Sequence, residues 1–139
     1  MREVCFILVQ DKILRVYFGS ATRIPDERER WETIWRYRDE ITEIAHSHPG
    51  DFLDFSHEDL TTMEAVEAGT GKSFTWSIVT QRGLLSRKDG QDSPREDSPW
   101  WLDLMRRLSY DFSRQSSRRG SKAEKPSRTT MRIRKELKT

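Results

Sequence analysis

The sequence predicts an α/β fold, and three observations carry the prediction. Short apolar runs with strand character recur over the first 90 residues. Between them lie segments whose apolar residues repeat with helical spacing. The two kinds of segment alternate along the chain rather than forming separate blocks, which is the order of an α/β protein. At 139 residues the chain fits one domain of ordinary size.

Residues 3–9, Glu-Val-Cys-Phe-Ile-Leu-Val, read as a buried strand, and residues 12–18 as its partner, with Gln10-Asp11 as a tight turn. Gly19 to Pro25 reads as a loop. Trp31, Ile34, Trp35 and Arg38 share one helical face, so residues 27–39 are a predicted amphipathic helix. Residues 42–47 form the next strand, which Pro49 ends. Ser56 opens a helix that runs to about Ala68, and Gly69-Thr70-Gly71 terminates it. Residues 73–80 alternate as a strand, with Leu84-Leu85-Ser86 as its hairpin partner. Residues 88–97 read as a polar loop. Ser98-Pro99 reads as an N-cap and first helical residue. Trp101, Leu104, Met105 and Leu108 then supply one apolar helical face, expected to pack on the sheet.

Hydrophobic residues make up 34% of the chain and charged residues 35%, which is polar for a chain that is folded throughout. The charge is divided. Residues 1–110 carry 15 Lys/Arg and 20 Asp/Glu, a net of −5, and residues 111–139 carry 10 and 3, a net of +7. The expected division is a folded domain over 1–110 and a basic, disordered tail over 111–139. In that tail, Arg118-Arg119, Lys122, Lys125, Arg128 and Arg132 to Lys135 could contact nucleic acid or an acidic partner. A solvated tail that aids solubility is the preferred reading. The sequence has neither a membrane-span-length apolar run nor a signal-peptide pattern, and Cys5 is its one cysteine. These point to a cytoplasmic protein without disulfides, with Cys5 as a buried small hydrophobe.

The chemistry concentrates at His46-Ser47-His48-Pro49, followed after six residues by Ser56-His57-Glu58-Asp59. Two His one residue apart suit a strand, where alternate side chains share a face about 6–7 Å apart at Cα. Their rings can converge on one ion, and an Asp from the next element adds a third ligand. Three ligands leave an open position, as a catalytic zinc requires. Taken alone, Ser56 and Asp59 are also a capping box before Leu60, Met63 and Val66. The readings are compatible, because a capped helix start holds a ligand rigidly. Gly69-Thr70-Gly71-Lys72-Ser73 resembles the end of a phosphate-binding loop. Val66 stands where the motif wants Gly, and a helix precedes it where a strand should, so nucleotide binding is discarded.

The pattern His-x-His-Pro, six residues, Ser-x-x-Asp resembles the signature of the JAMM/MPN-domain zinc metalloproteases, in a compact prokaryote-type form. That resemblance implies a three-layer α-β-α arrangement around a mixed sheet, the cytidine-deaminase-like MPN fold, here lacking the usual N-terminal helix. It implies Zn²⁺ bound by His46, His48 and Asp59, with Ser56 as oxyanion donor. It also implies a general base on an early strand, and Glu3-Val4-Cys5-Phe6-Ile7-Leu8 is similar to the family pattern there, with Phe6 where Gly is frequent. Glu3 is therefore the expected base. Glu43 is nearer in sequence to His46 but should point to the opposite face of the strand. His57 lies outside the pattern and is expected to face solvent. The implied activity is hydrolysis of a peptide or isopeptide bond after the tail of a ubiquitin-like or sulfur-carrier protein. A homodimer or partner protein near the N-terminus, in place of the absent helix, is a further expectation. The alternative is an inert MPN scaffold that only binds partners.

Overall fold

The apolar run Val4–Val9 forms strand β1 and is buried from Val4 to Leu8, because β1 is paired on both edges and covered on both faces. The computed structural model describes residues 1–19 and 28–111. The loop expected at Gly19 to Pro25 therefore lies, apart from Gly19, outside the described residues, as does the basic tail beyond Asp111. Strand β2 (Lys12–Phe18) pairs antiparallel with β1 along one edge, and β3 (Glu43–Ser47) pairs antiparallel along the other. β3 runs parallel to β4 (Thr75–Val79), and that parallel pair is joined through helix α2 (His57–Thr70). β5 (Leu84–Lys88) and β6 (Gln91–Pro94) add antiparallel strands, giving a six-stranded mixed sheet in the order β2-β1-β3-β4-β5-β6.

Helices cover both faces. Helix α3 (Leu102–Arg106), continued by one π turn over Arg107–Asp111, lays Trp101, Leu102, Met105 and Leu108 on Val4, Phe6, Leu8, Ala45 and Val79. Phe6 and Trp101 meet edge to face with ring centroids 6.4 Å apart. The apolar stripe read in the sequence thus packs on the sheet. On the other face, Ile34 of helix α1 (Arg28–Arg36) joins Met63 and Val66 of α2 over Cys5, Ile7, Ile44 and Ile78. Cys5 is buried, as expected. Among the described residues, no helix is long and apolar enough to cross a membrane.

Several boundaries differ from the sequence reading. α1, expected over 27–39, spans Arg28–Arg36, and of its expected face Ile34 is buried while Trp31 and Trp35 are exposed. α2 extends to Thr70, and Gly71 at φ 71° closes it by donating its N–H to the Glu67 carbonyl. The polar stretch 88–97 is a strand rather than a loop over Gln91–Pro94. Asp89 (φ 52°) and Gly90 (φ 78°) turn the chain in two residues, and Asp-Gly is a residue pair that such turns favour. β6 is exposed at all four positions, so polarity hid it. Ser98 is not a helix cap either. The Pro99 carbonyl accepts from Leu102 N–H at 3.0 Å, a three-residue turn, and α3 begins only after Trp101.

Candidate metal centre

His46 lies near the end of β3 and His48 one residue beyond it. The ladder nevertheless continues, because His48 N–H donates to the Val79 carbonyl at 2.8 Å. The two imidazoles therefore keep the same-face relation of a strand. Asp59 arrives from the first turn of α2. There Ser56 Oγ accepts from Asp59 N–H at 3.0 Å, and Asp59 Oδ2 accepts from Ser56 N–H at 2.9 Å. This is the capping box, and it aims the carboxylate back at the histidines.

The three side chains converge. His46 Nε2 lies 3.1 Å from His48 Nε2 and 3.3 Å from Asp59 Oδ1, and His48 Nε2 lies 3.2 Å from Asp59 Oδ2. One donor atom from each falls within 4.8 Å of the others. His48 Nδ1 is 2.9 Å from the Phe52 carbonyl, which accepts only if Nδ1 carries a proton. In a neutral ring that leaves the Nε2 lone pair facing the centre. Two imidazole nitrogens and a carboxylate in contact need a cation between them: a proton on an imidazole or a metal ion. The donor set fits a metal ion, with imidazole and carboxylate ligands of the kind zinc takes.

The electrostatics agree. Burial pushes the Asp59 carboxyl up, but hydrogen bonds from both histidines and the Ser56 N–H outweigh it and hold the group far below the usual carboxylate range. Burial pulls His48 down, yet its bond to Asp59 and to the Phe52 carbonyl, with the nearby charges of Asp59 and Glu3, raises it above its ordinary value. Glu3 is shifted upward, chiefly by burial, against the attraction of His46 and His48.

Glu3, Ser56, His46, His48 and Asp59 line one cavity of about 620 Å³. Its walls continue through Arg30 and Trp31 of α1 to Met63 and Trp76. The structure thus brings together all five residues singled out in the sequence. Glu43 points away: its carboxylate accepts from Ser77 Oγ and, at 2.9 Å, from Arg95 Nη1. His57 is exposed on α2. In the discarded phosphate-loop segment, Gly71 caps α2 and Lys72 pairs with Asp39 at 2.6 Å.

Sequence reasoning passed over several supporting groups. The Phe52 carbonyl sets the His48 tautomer, and the Phe52 ring stacks on the His48 ring at 9°. Tyr110 Oη donates its one proton to the His48 carbonyl at 2.5 Å, with the Val79 carbonyl beside it at 3.1 Å. Burial pushes the Tyr110 phenol up to about 12, so it stays a donor at neutral pH. No sequence signal links Tyr110 to a histidine 62 residues away. No protein-family model matches the chain, and no curated protein matches it.

Proposed function

We propose that this chain is a zinc-dependent peptidase or isopeptidase of the JAMM/MPN type, acting after the tail of a ubiquitin-like or sulfur-carrier protein. One observation carries the reading. Two imidazoles and a carboxylate converge beside a half-buried Glu3 and the Ser56 hydroxyl, inside one cavity. A structural metal site would need no carboxyl group in waiting and no serine lining the same cavity.

A zinc ion held by His46, His48 and Asp59 would supply a Lewis acid and would bring the pKa of a water to about 7. The chain's own residues do the rest. Glu3 takes a proton from the attacking water and returns it to the leaving amine nitrogen. Its upward shift moves it towards the range in which a carboxyl can both accept and release a proton. Ser56 uses one lone pair of Oγ for the cap, and its O–H remains able to donate to the carbonyl oxygen as that oxygen gains charge. The Phe52 carbonyl keeps His48 in the required tautomer. Trp31 and Phe52, 38% and 59% exposed, are available at the cavity to grip an extended tail.

Elemental analysis of wild type and His48→Ala, followed by hydrolysis of a fluorogenic peptide whose acyl side ends in Gly-Gly, tests the proposal. The expected result is about one zinc per chain, lost in the variant, and cleavage lost in Glu3→Ala with zinc retained. Zinc-loaded wild type that cleaves neither the peptide nor a ubiquitin-like protein fusion would reject the hydrolase. Absence of zinc after supply would leave an inert scaffold.

A further inference from the structure

Ser109 and Tyr110 sit in the π turn that ends the described chain, far in sequence from every residue of the site. Both are buried, and both hydroxyls reach the backbone of a site residue or of its neighbours. The proton directions around Ser109 can be worked out. Ser109 Oγ donates to the Arg2 carbonyl at 2.5 Å. Its one proton is then used, so in its 2.8 Å contact with Ser47 Oγ it must accept. Ser47 has given its own proton there and accepts from Val4 N–H at 2.9 Å. The chain is Val4 N–H to Ser47 to Ser109 to the Arg2 carbonyl. It starts and ends on the two neighbours of Glu3, and it passes through the residue between His46 and His48. Each bond in such a chain polarises the next.

Two further bonds complete the frame. Arg2 N–H donates back to the Ser109 carbonyl at 3.1 Å, and Gly19 N–H donates to the Glu3 carbonyl at 2.9 Å. The backbone on both sides of Glu3 is thereby held. One residue on, Tyr110 Oη bonds the His48 carbonyl. The Val79 carbonyl has His48 N–H as a second donor, whereas Tyr110 is the side-chain donor shown for the His48 carbonyl.

We propose that Ser109 and Tyr110 are positioning residues, Ser109 fixing Glu3 through the two-serine chain and Tyr110 fixing the His48 ligand through its carbonyl. The Glu3 half rests on the peptidase reading given above; the His48 half requires only that the site bind metal. Both are tested on the full chain. Zinc affinity is measured by competition with a chromogenic chelator, and hydrolysis with the Gly-Gly fluorogenic peptide.

Tyr110→Phe keeps the ring and removes the donor. It is expected to weaken zinc binding about tenfold, as loss of an orienting partner does. Ser109→Ala is expected to leave zinc affinity at the wild-type value and to lower kcat by roughly tenfold to a hundredfold with KM unchanged, the signature of a misplaced reacting group. Ser109→Thr, which retains the hydroxyl, should restore kcat. A protein merely loosened by Ser109→Ala would lose stability without this split between kcat and zinc affinity. If Ser109→Ala does not fold, Ser47→Ala breaks the same chain one link earlier and carries the same expectation. Wild-type zinc affinity in Tyr110→Phe overturns the His48 half, and wild-type kcat in folded Ser109→Ala or Ser47→Ala overturns the Glu3 half. Wild type that binds zinc but cleaves nothing sinks the peptidase and the Glu3 half together, and the zinc affinity of Tyr110→Phe still decides the rest.

Discussion

On the proposed mechanism, replacing Ser56 by alanine removes one oxygen that serves both stability and chemistry, and the two losses can be separated. In the cap, Ser56 Oγ accepts from Asp59 N–H at 3.0 Å. Losing such a cap costs about 1 kcal/mol, or roughly 4–8 °C in Tm for a small domain. The backbone half of the capping box survives, since Ser56 N–H still reaches Asp59 Oδ2 at 2.9 Å. Asp59 therefore stays aimed and zinc content should not change. In the reaction, losing one oxyanion donor costs about 10²–10³ in kcat. Glycine is the informative second variant, because it caps nearly as well as serine, within a few tenths of a kcal/mol. Ser56→Gly should thus be close to wild type in Tm but as slow as Ser56→Ala, while Ser56→Thr keeps both properties. Thermal melts, zinc analysis and the Gly-Gly peptide assay report all three quantities. If Ser56→Gly cleaves at the wild-type rate, the hydroxyl does not meet the oxyanion and Ser56 is a cap alone.

Four other outcomes are expected. Glu3→Gln should retain zinc, lose about 10²–10⁴ of the hydrolytic rate, and melt slightly higher than wild type at neutral pH. A carboxyl raised by burial gives up stability as pH rises through its folded pKa, so that gain should vanish below about 4.5, where the glutamate is protonated in both states. The metal-free protein should be most stable in mild acid. Asp59, held low, contributes stability present above its unfolded value of 3.8 and lost as pH falls through its folded pKa; His48, held high, contributes stability present below 6.5 and lost as pH rises through its folded pKa. Zinc affinity should run the other way and rise through neutrality as His48 sheds its proton, so melts with and without zinc should diverge above pH 6.5. Gln10→Gly should stabilise the fold by about 0.5–1 kcal/mol in urea unfolding, since Gln10 sits at φ 55° in the β1–β2 turn and a non-glycine residue there is strained.

The local parts of the site were legible because local rules generate them. A strand puts His46 and His48 on one face, and a capping box needs only Ser56 and Asp59 three residues apart. The apolar stripe of Trp101, Met105 and Leu108 was legible for the same reason, since helical period alone selects it. The β6 strand was not, because an exposed edge strand of Gln, Asp, Ser and Pro has no apolar alternation to detect, although Asp89-Gly90 held the turn signal. The start of α3 was misplaced because Ser-Pro serves a turn as well as a helix. Ser109 and Tyr110 were out of reach altogether. Their partners lie 31 to 107 residues away, and a serine or tyrosine in a polar context gives no sign of which carbonyl it will meet.

The three candidate ligands come from a single strand-to-helix passage of fourteen residues, His46 to Asp59, stiffened by its own cap. Glu3 lies one residue ahead of another strand, β1, and its place beside His46 follows from the β1–β3 ladder, in which Cys5 faces His46. Metal affinity should therefore survive changes that unsettle the N-terminal residues, whereas the placement of Glu3 depends on long-range contacts with Ser47, Gly19 and Ser109. On the proposed function, metal binding is then the robust property and base placement the fragile one. Loss of the β1 start would be expected to yield a protein that still binds metal but has no means of moving the proton.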